Sequence, residues 1–395
     1  MILREQYLAK LRMFREKDVI KVVTGIRRCG KSTLLEQFRE ELIREGVGED
    51  RIIYINFEDL AYENLLDYHA MYDYITARLS DSGYTYIFLD EVQRVPEFQK
   101  AVDSLYIKKN TDVYVTGSNS DLLSSELATL LTGRYIEIRM LPLSFKEYVS
   151  AFPGADKKEL FRNYLTYGSM PYILNMTGRE AADIYLNGIY HTIIMTDIAM
   201  RHPQTDMSVL ESILRYLMHN VGNLVSSANI ANTLTSSGRK TSYNTVEKYI
   251  SFLTESYLIY EAPRYDVKGK QHLKSLSKYY AADTGLRGIL LANRESDIGH
   301  ILENVIYLEL LRRGCKVSVG KLDDREVDFI AENSDGIEYF KVAATALDPD
   351  KLKTELEPLA RIKDNYPKTL ITLDDYDLGT HNGIRTQNAI DFLLK

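Results

Sequence analysis

The sequence contains no tryptophan, and its 395 residues include two cysteines and nine prolines. Two thiols, Cys29 and Cys315, are too few for a disulfide framework or a thiolate metal site, and they suit a reducing compartment. Long apolar runs are missing as well. Stretches such as Tyr86-Ile87-Phe88-Leu89 have strand length, far below the roughly 20 residues of a membrane-spanning helix, so no membrane partner is expected. The opening MILREQYLAK has no apolar signal core, so export is not expected and the cytoplasm is the expected location. There is no excess of positive charge. A formal net charge of −7 argues against a protein that coats nucleic acid over its whole surface, while leaving room for a local basic element. What the chain does have is length, with 45% hydrophobic and 27% charged residues. Those values predict folded protein in about two to four domains. Its 29 tyrosines follow strand and helix spacing and are expected at core edges rather than as base-stacking platforms.

The first strong chemical signal is Asp18 to Thr24, DVIKVVT, a β-branched run that predicts a buried parallel strand. It leads into Gly25-Ile-Arg27-Arg28-Cys29-Gly30-Lys31-Ser32-Thr33, which contains G-x-x-x-x-G-K-S, and then into a periodic helix with Leu34, Leu35, Phe38, Leu42 and Ile43 on its apolar side. Strand, glycine loop and helix come in the order that phosphate binding requires. The glycines let backbone N–H groups turn inward, and the helix N-terminus adds partial positive charge. Gly25 through Thr33 are therefore the expected ATP-binding loop, apart from Ile26. In it Lys31 reaches the β- and γ-phosphates and Ser32 ligates Mg2+. A second strand, Tyr84 to Leu89, ends in Asp90-Glu91. Asp90 is expected to hold the magnesium through water, and Glu91 to polarise the attacking water.

A third strand, Asp112 to Thr116, ends in Gly117-Ser118-Asn119-Ser120. The Asn119 amide is the expected water-orienting or γ-phosphate-sensing group. Arg134 stands in a loop before the strand Ile136 to Met140. Two roles are open to it, a finger on a neighbouring subunit's γ-phosphate or a surface salt bridge. Cys29, inside the loop, predicts that thiol modification obstructs ATP.

Taken in series, GIRRCGKSTLL (25–35), YINFED (54–59), IFLDEVQ (87–93), VTGSNS (115–120), TGRY (132–135) and LPLSFKEY (141–148) resemble the bacterial and archaeal AAA-family ATPases that carry a C-terminal DUF4143 domain. Downstream, YGSMP (167–171), RYDVKGK (264–270), KYYAADTGLR (278–287) and ENV (303–305) continue the resemblance. It implies a P-loop AAA+ core over 1–150 and a helical lid over 151–220, with Asn56 coupling the position of Glu91 to ligand state. The apolar stripes of the lid, Phe161-Tyr164-Leu165 and Tyr185-Leu186-Ile189-Tyr190-Ile193, are core and carry no chemistry.

Residues 221–275 read as a winged helix-turn-helix. One short helix begins near Ser226, a turn runs over 236–241, and a second helix begins after the cap Ser242. Eight Lys or Arg against four Asp or Glu over 221–280 give a local +4, which points to double-stranded DNA. Residues 276–395 alternate strands and helices in an order that resembles the PD-(D/E)xK nuclease fold. The positions matching its metal-binding acids and lysine are Glu303, Asp328 and Lys341. Tyr339 replaces the acid expected two residues before Lys341; Glu326 shares a strand face with Asp328, and His300 precedes Glu303 on one helix. The expected architecture is thus α/β throughout: a parallel-sheet P-loop domain, helical lid, winged helix and nuclease-like domain. Three functions follow from it: an ATPase coupled to DNA, a slow nucleotide switch acting on a protein partner, and an ATP-gated metal nuclease. The sequence leaves the oligomeric state open.

Overall fold

The computed structural model describes residues 2–118, 133–291, 298–375 and 379–395, with backbone alone at 274 and 275. The chain divides into two compact units, 1–140 with 255–257, and 141–254 with 258–395. Among the described residues no helix is long and apolar enough to cross a membrane.

In the first unit strands and helices alternate: α1 (Glu5–Phe14), β1 (Ile20–Thr24), α2 (Lys31–Arg44), β2 (Ile52–Asn56), α3 (Tyr68–Thr76), β3 (Thr85–Asp90), α4 (Phe98–Tyr106), β4 (Thr111–Gly117) and β5 (Tyr135–Arg139). The five strands form one parallel sheet in the order β2-β3-β4-β1-β5. β1, β3 and β4 are central and read as near-continuous apolar runs because both of their faces are covered. Alternation along β3 divides its side chains between two cores. Ile87 and Leu89 join Ile20, Val22, Ile55, Val113 and Val115 on one face. Phe88 stacks on Tyr114 at 4.8 Å on the other face, where Phe38 of α2 packs 5.3 Å from Tyr114. Asp90 follows Phe88 by two residues and so falls on the α2 face of the sheet.

The second unit begins with helices: α5 (Phe145–Ser150), α6 (Lys157–Tyr167), α7 (Gly178–Thr192) running into a π-helix (Ile193–Ala199), α8 (Met207–His219), α9 (Ser227–Ser236) and α10 (Tyr243–Glu255). Ser242 caps α10 by accepting the Thr245 N–H at 3.1 Å. Then come β6 (Ile259–Asp266), β7 (Gln271–Ala281), α11 (Thr284–Leu290), α12 (Ile298–Arg312), β8 (Lys316–Leu322), β9 (Arg325–Asn333), β10 (Gly336–Val342), α13 (Pro349–Ala360), β11 (Lys368–Thr372), β12 (Thr380–His381), β13 (Ile384–Asn388) and α14 (Ala389–Leu394). The strands make one sheet in the order β12-β13-β11-β10-β9-β8-β6-β7. β8, β9 and β10 form an antiparallel meander; β11 joins β10 in parallel after the α13 crossover. The β6–β7 hairpin enters the same sheet through a parallel β6–β8 pairing. The position expected to part the winged helix from the nuclease-like region, 275/276, therefore falls inside β7.

Candidate active site

The residues expected to form a nucleotide site lie at the carboxyl ends of β1, β3 and β4, where open α/β sheets present their ligand sites. Register fixes who meets whom. Leu89 pairs with Val115 and Val23 with Thr116, so Asp90, Thr116 and the mouth of the Gly25–Gly30 loop are neighbours. Gly25 has φ +147, and a Cβ there would lie 2.2 Å from the Met140 carbonyl oxygen, so only glycine fits this turn. Gly30, at φ 103, leads into α2, whose first turn carries no side-chain cap. A helix end of this kind leaves N–H groups for an anion.

Lys31 is buried on the loop. Its Nζ donates to the Gly25 carbonyl at 3.1 Å and stands 3.6 Å from Glu91 Oε1. Asp90 lies fully out of solvent, accepts a hydrogen bond from Thr116 Oγ1, and is 3.3 Å from the Tyr54 hydroxyl. Burial raises its carboxyl above the usual range, while hydrogen bonds from Thr116 and Ser32 oppose the shift. Glu91 has a left-handed backbone at φ 52, unusual for a residue with a Cβ. Its N–H is held by Thr116 Oγ1 at 2.9 Å, so one hydroxyl ties both carboxylate residues to β4. Burial pushes the Glu91 carboxyl up, but Lys31 beside it, helped by Gln93, Arg27 and Ser118, outweighs that, and the group is held below its ordinary value. Glu91 is therefore ionised at neutral pH, the form a general base needs.

The other expected residues fall as follows. Ser32 and Thr33 open α2, and Arg28 is exposed at φ 67. Arg27 pairs with Glu58 at 3.3 Å. Cys29 is buried, its thiol directed at the Met140 carbonyl and its pKa pushed up by burial, which makes it a poor target for modification. The Asn56 side chain accepts the Glu58 N–H at 2.8 Å. Arg134 stands where β5 begins, at the end of the sheet away from the loop, paired with Asp103 and 5.5 Å from the Tyr106 ring centre. Asn119 lies outside the described residues. Thr116, Tyr54 and Gln93 were missed. Gln93, two residues beyond Glu91 in DEVQ, donates to Glu91 Oε2 at 2.5 Å and reaches Ser118 Oγ at 3.5 Å.

In the second unit Glu303 of α12, Asp328 of β9 and Lys341 of β10 do converge. Lys341 Nζ bonds Asp328 Oδ1 at 2.8 Å, and the Val342 N–H bonds Oδ2 at 2.7 Å. Burial alone disfavours the Asp328 charge, but Lys341 and Lys278 outweigh it and hold the carboxyl below its usual range. Glu355 of α13 stands 3.9 Å from Lys341. Lys278 of β7, present in the KYYAAD run but given no role, is also at the centre: 2.9 Å from Glu303, 2.5 Å from Glu326 and 4.0 Å from Asp328. Glu303 accepts the Tyr280 hydroxyl at 2.7 Å and lies 3.8 Å from His300 Nδ1. Burial drives its carboxyl upward against the pull of Lys278.

Comparison with known proteins places the chain among relatives. A family model described as "AAA domain" matches residues 17–149, in keeping with the parallel sheet and its loop. A second, "Domain of unknown function (DUF8612)", matches residues 158–297; this is the finding where the resemblance implied DUF4143. An uncharacterized protein of Haemophilus influenzae is 41% identical, covering 100% of this chain and 99% of its own. The uncharacterized protein MJ1544 of Methanocaldococcus jannaschii is 30% identical, over 90% of this chain and 82% of its own. Among solved structures, the Walker-type ATPase PABY2304 of Pyrococcus abyssi superposes with a TM-score of 0.51 at 16% identity. That match spans 73% of this chain and 96% of the other and speaks to fold alone.

Proposed function

This chain belongs to the family of the Haemophilus influenzae and Methanocaldococcus jannaschii proteins and carries an AAA domain over residues 17–149, and from that premise we propose that it is an ATPase whose nucleotide state governs engagement of double-stranded DNA. The observation that carries the ATPase reading is the convergence of Lys31, Asp90 and Glu91 at the strand tips, with Thr116 bonded to both carboxylate residues. Lys31 and the uncapped start of α2 bind the phosphates. Ser32 and Asp90 are the residues that would hold magnesium, which when bound offsets phosphate charge. Glu91 accepts the proton of the attacking water as the γ-phosphate is cleaved. Asn119 as sensor and Arg134 as a finger on a neighbouring subunit belong to the same reading.

The DNA side of the proposal rests on α9, α10 and the β6–β7 hairpin, a helix-turn-helix followed by a wing. Tyr243, Asn244 and Lys248 are exposed on α10, and Lys268 and Lys270 are exposed at the hairpin tip. The αβββαβ succession of α12 through β11 supports a nuclease-like fold beside it, used for binding. Reversing charge in a Lys268→Glu/Lys270→Glu variant is expected to abolish duplex binding in a low-salt mobility-shift assay. It leaves the basal ATPase rate unchanged, since both residues lie outside the nucleotide site. Lys268 gives up only an exposed pair with Asp323, which contributes little to stability. A second reading, a nucleotide switch acting on a protein partner, draws on the exposed Tyr172, Ile184, Met195 and Met200 of the helical segment. Unaltered DNA binding by the charge-reversed variant would turn the account toward it.

A further inference from the structure

A nuclease-like fold implies a metal held by the Glu303–Asp328 carboxylates, and the residues present do not fit one. Three of their four oxygens already have protein donors: Glu303 Oε1 accepts from Lys278 and Tyr280, Asp328 Oδ1 from Lys341 and Asp328 Oδ2 from the Val342 N–H. Among the described residues no group of three or more His, Cys, Asp or Glu side chains is disposed around a metal position. We infer that the cation of this centre is the ammonium of Lys278, tethered to β7 and seated where Glu303, Glu326 and Asp328 converge, and that the centre is a lock between the hairpin and the nuclease-like core rather than a site of metal-dependent cleavage.

The geometry has the features of a coordinated ion. Lys278 is 2% exposed, and its Nζ meets carboxylates from two different elements, α12 and β9, with Asp328 completing the set at 4.0 Å. An ammonium is a compact point charge with three donors, which suits a pocket of converging oxygens. The neighbouring residues close the pocket. A Cβ at Gly222 would fall 2.4 Å from His300 Nδ1 and 3.1 Å from Glu303 Oε2, so the backbone of the α8–α9 loop packs directly against that side of the cluster. Position in the chain adds the mechanical consequence. Lys278 comes to the centre from the hairpin, and Asn304, next to Glu303, bonds both the N–H and the carbonyl of Ala281 on the same strand at 2.8 and 2.9 Å. β7 is thus fastened to α12 twice, by an ion cluster and by a side-chain amide.

The test is Mn2+ binding to the full chain without nucleotide, counted from the free-ion EPR signal and paired with thermal unfolding. The wild type is expected to bind no Mn2+ that Asp328→Asn removes, and to keep its Tm when Mn2+ is added. Lys278→Ser strips the tethered cation from buried carboxylates. It is expected to unfold at lower temperature, to bind one Mn2+ more per chain than the wild type, and to recover Tm in Mn2+; adding Asp328→Asn cancels both gains. Should Lys278→Ser be unfolded in metal-free buffer, refolding on addition of Mn2+ is the expected result and persistent unfolding contradicts the inference. Lys278→Arg, which keeps the charge, is expected to fold and to bind no extra ion. Asp328-dependent Mn2+ binding by the wild type, or a folded Lys278→Ser that binds no more than the wild type, would overturn the proposal.

Discussion

Replacing Glu91 by Gln lowers steady-state ATP hydrolysis by about 10²–10⁴-fold, the usual contribution of a positioned general base, and leaves ATP affinity close to that of the parent. Glutamine keeps the length of the side chain and can still accept from Gln93, while the proton-accepting charge is gone. The left-handed backbone at residue 91 and its N–H bond to Thr116 are untouched, so the loop keeps its shape. A phosphate-release assay together with titration of a fluorescent ATP analogue separates the two quantities. Hydrolysis at the parental rate would assign the water-activating role elsewhere.

Lys31→Ala acts one step earlier and costs binding. Truncating one partner of a buried charged contact costs roughly 2–5 kcal/mol, about 30- to 5,000-fold in Kd. Here the loss has two parts. The phosphates lose a charge-assisted donor, and Glu91 loses the cation 3.6 Å away that holds its carboxyl below the ordinary range. The variant therefore has weaker nucleotide binding and a less acidic Glu91 at once. Isothermal titration with ATP reads the first effect, and far-UV circular dichroism checks that α2 has survived. Wild-type affinity in a folded variant would contradict the placement of the phosphates over Lys31.

Much of the first unit was legible because its signals are local. A β-branched strand, a glycine loop and a periodic helix stand within 27 residues, Asp18 to Arg44, and a second apolar strand ends on the two acids. Thr116 escaped notice because its importance comes from parallel register. It meets Asp90 only when β3 and β4 lie side by side, 26 residues apart in sequence. Gln93 is closer in sequence, but its aim at Glu91 depends on the left-handed turn between them, which composition does not reveal. The second unit was harder to read. Glu303, Asp328 and Lys341 are legible through an ordered pattern, whereas Lys278 sits on a strand that straddles the expected domain boundary at 275/276. Its partners are 25, 48 and 50 residues away, brought to it by the β6–β8 pairing. Charge counting registered Lys278 as part of a basic segment suited to DNA; packing shows that this charge is buried and neutralised internally.

The central claim is that ATP turnover and DNA engagement are coupled in one chain. Steady-state ATP hydrolysis by the purified protein, measured with and without duplex DNA across a salt series, tests it most directly. The account predicts stimulation by duplex at low salt that fades as salt rises and is lost in Lys268→Glu/Lys270→Glu. Hydrolysis that is slow and indifferent to DNA at every salt concentration would contradict the coupling.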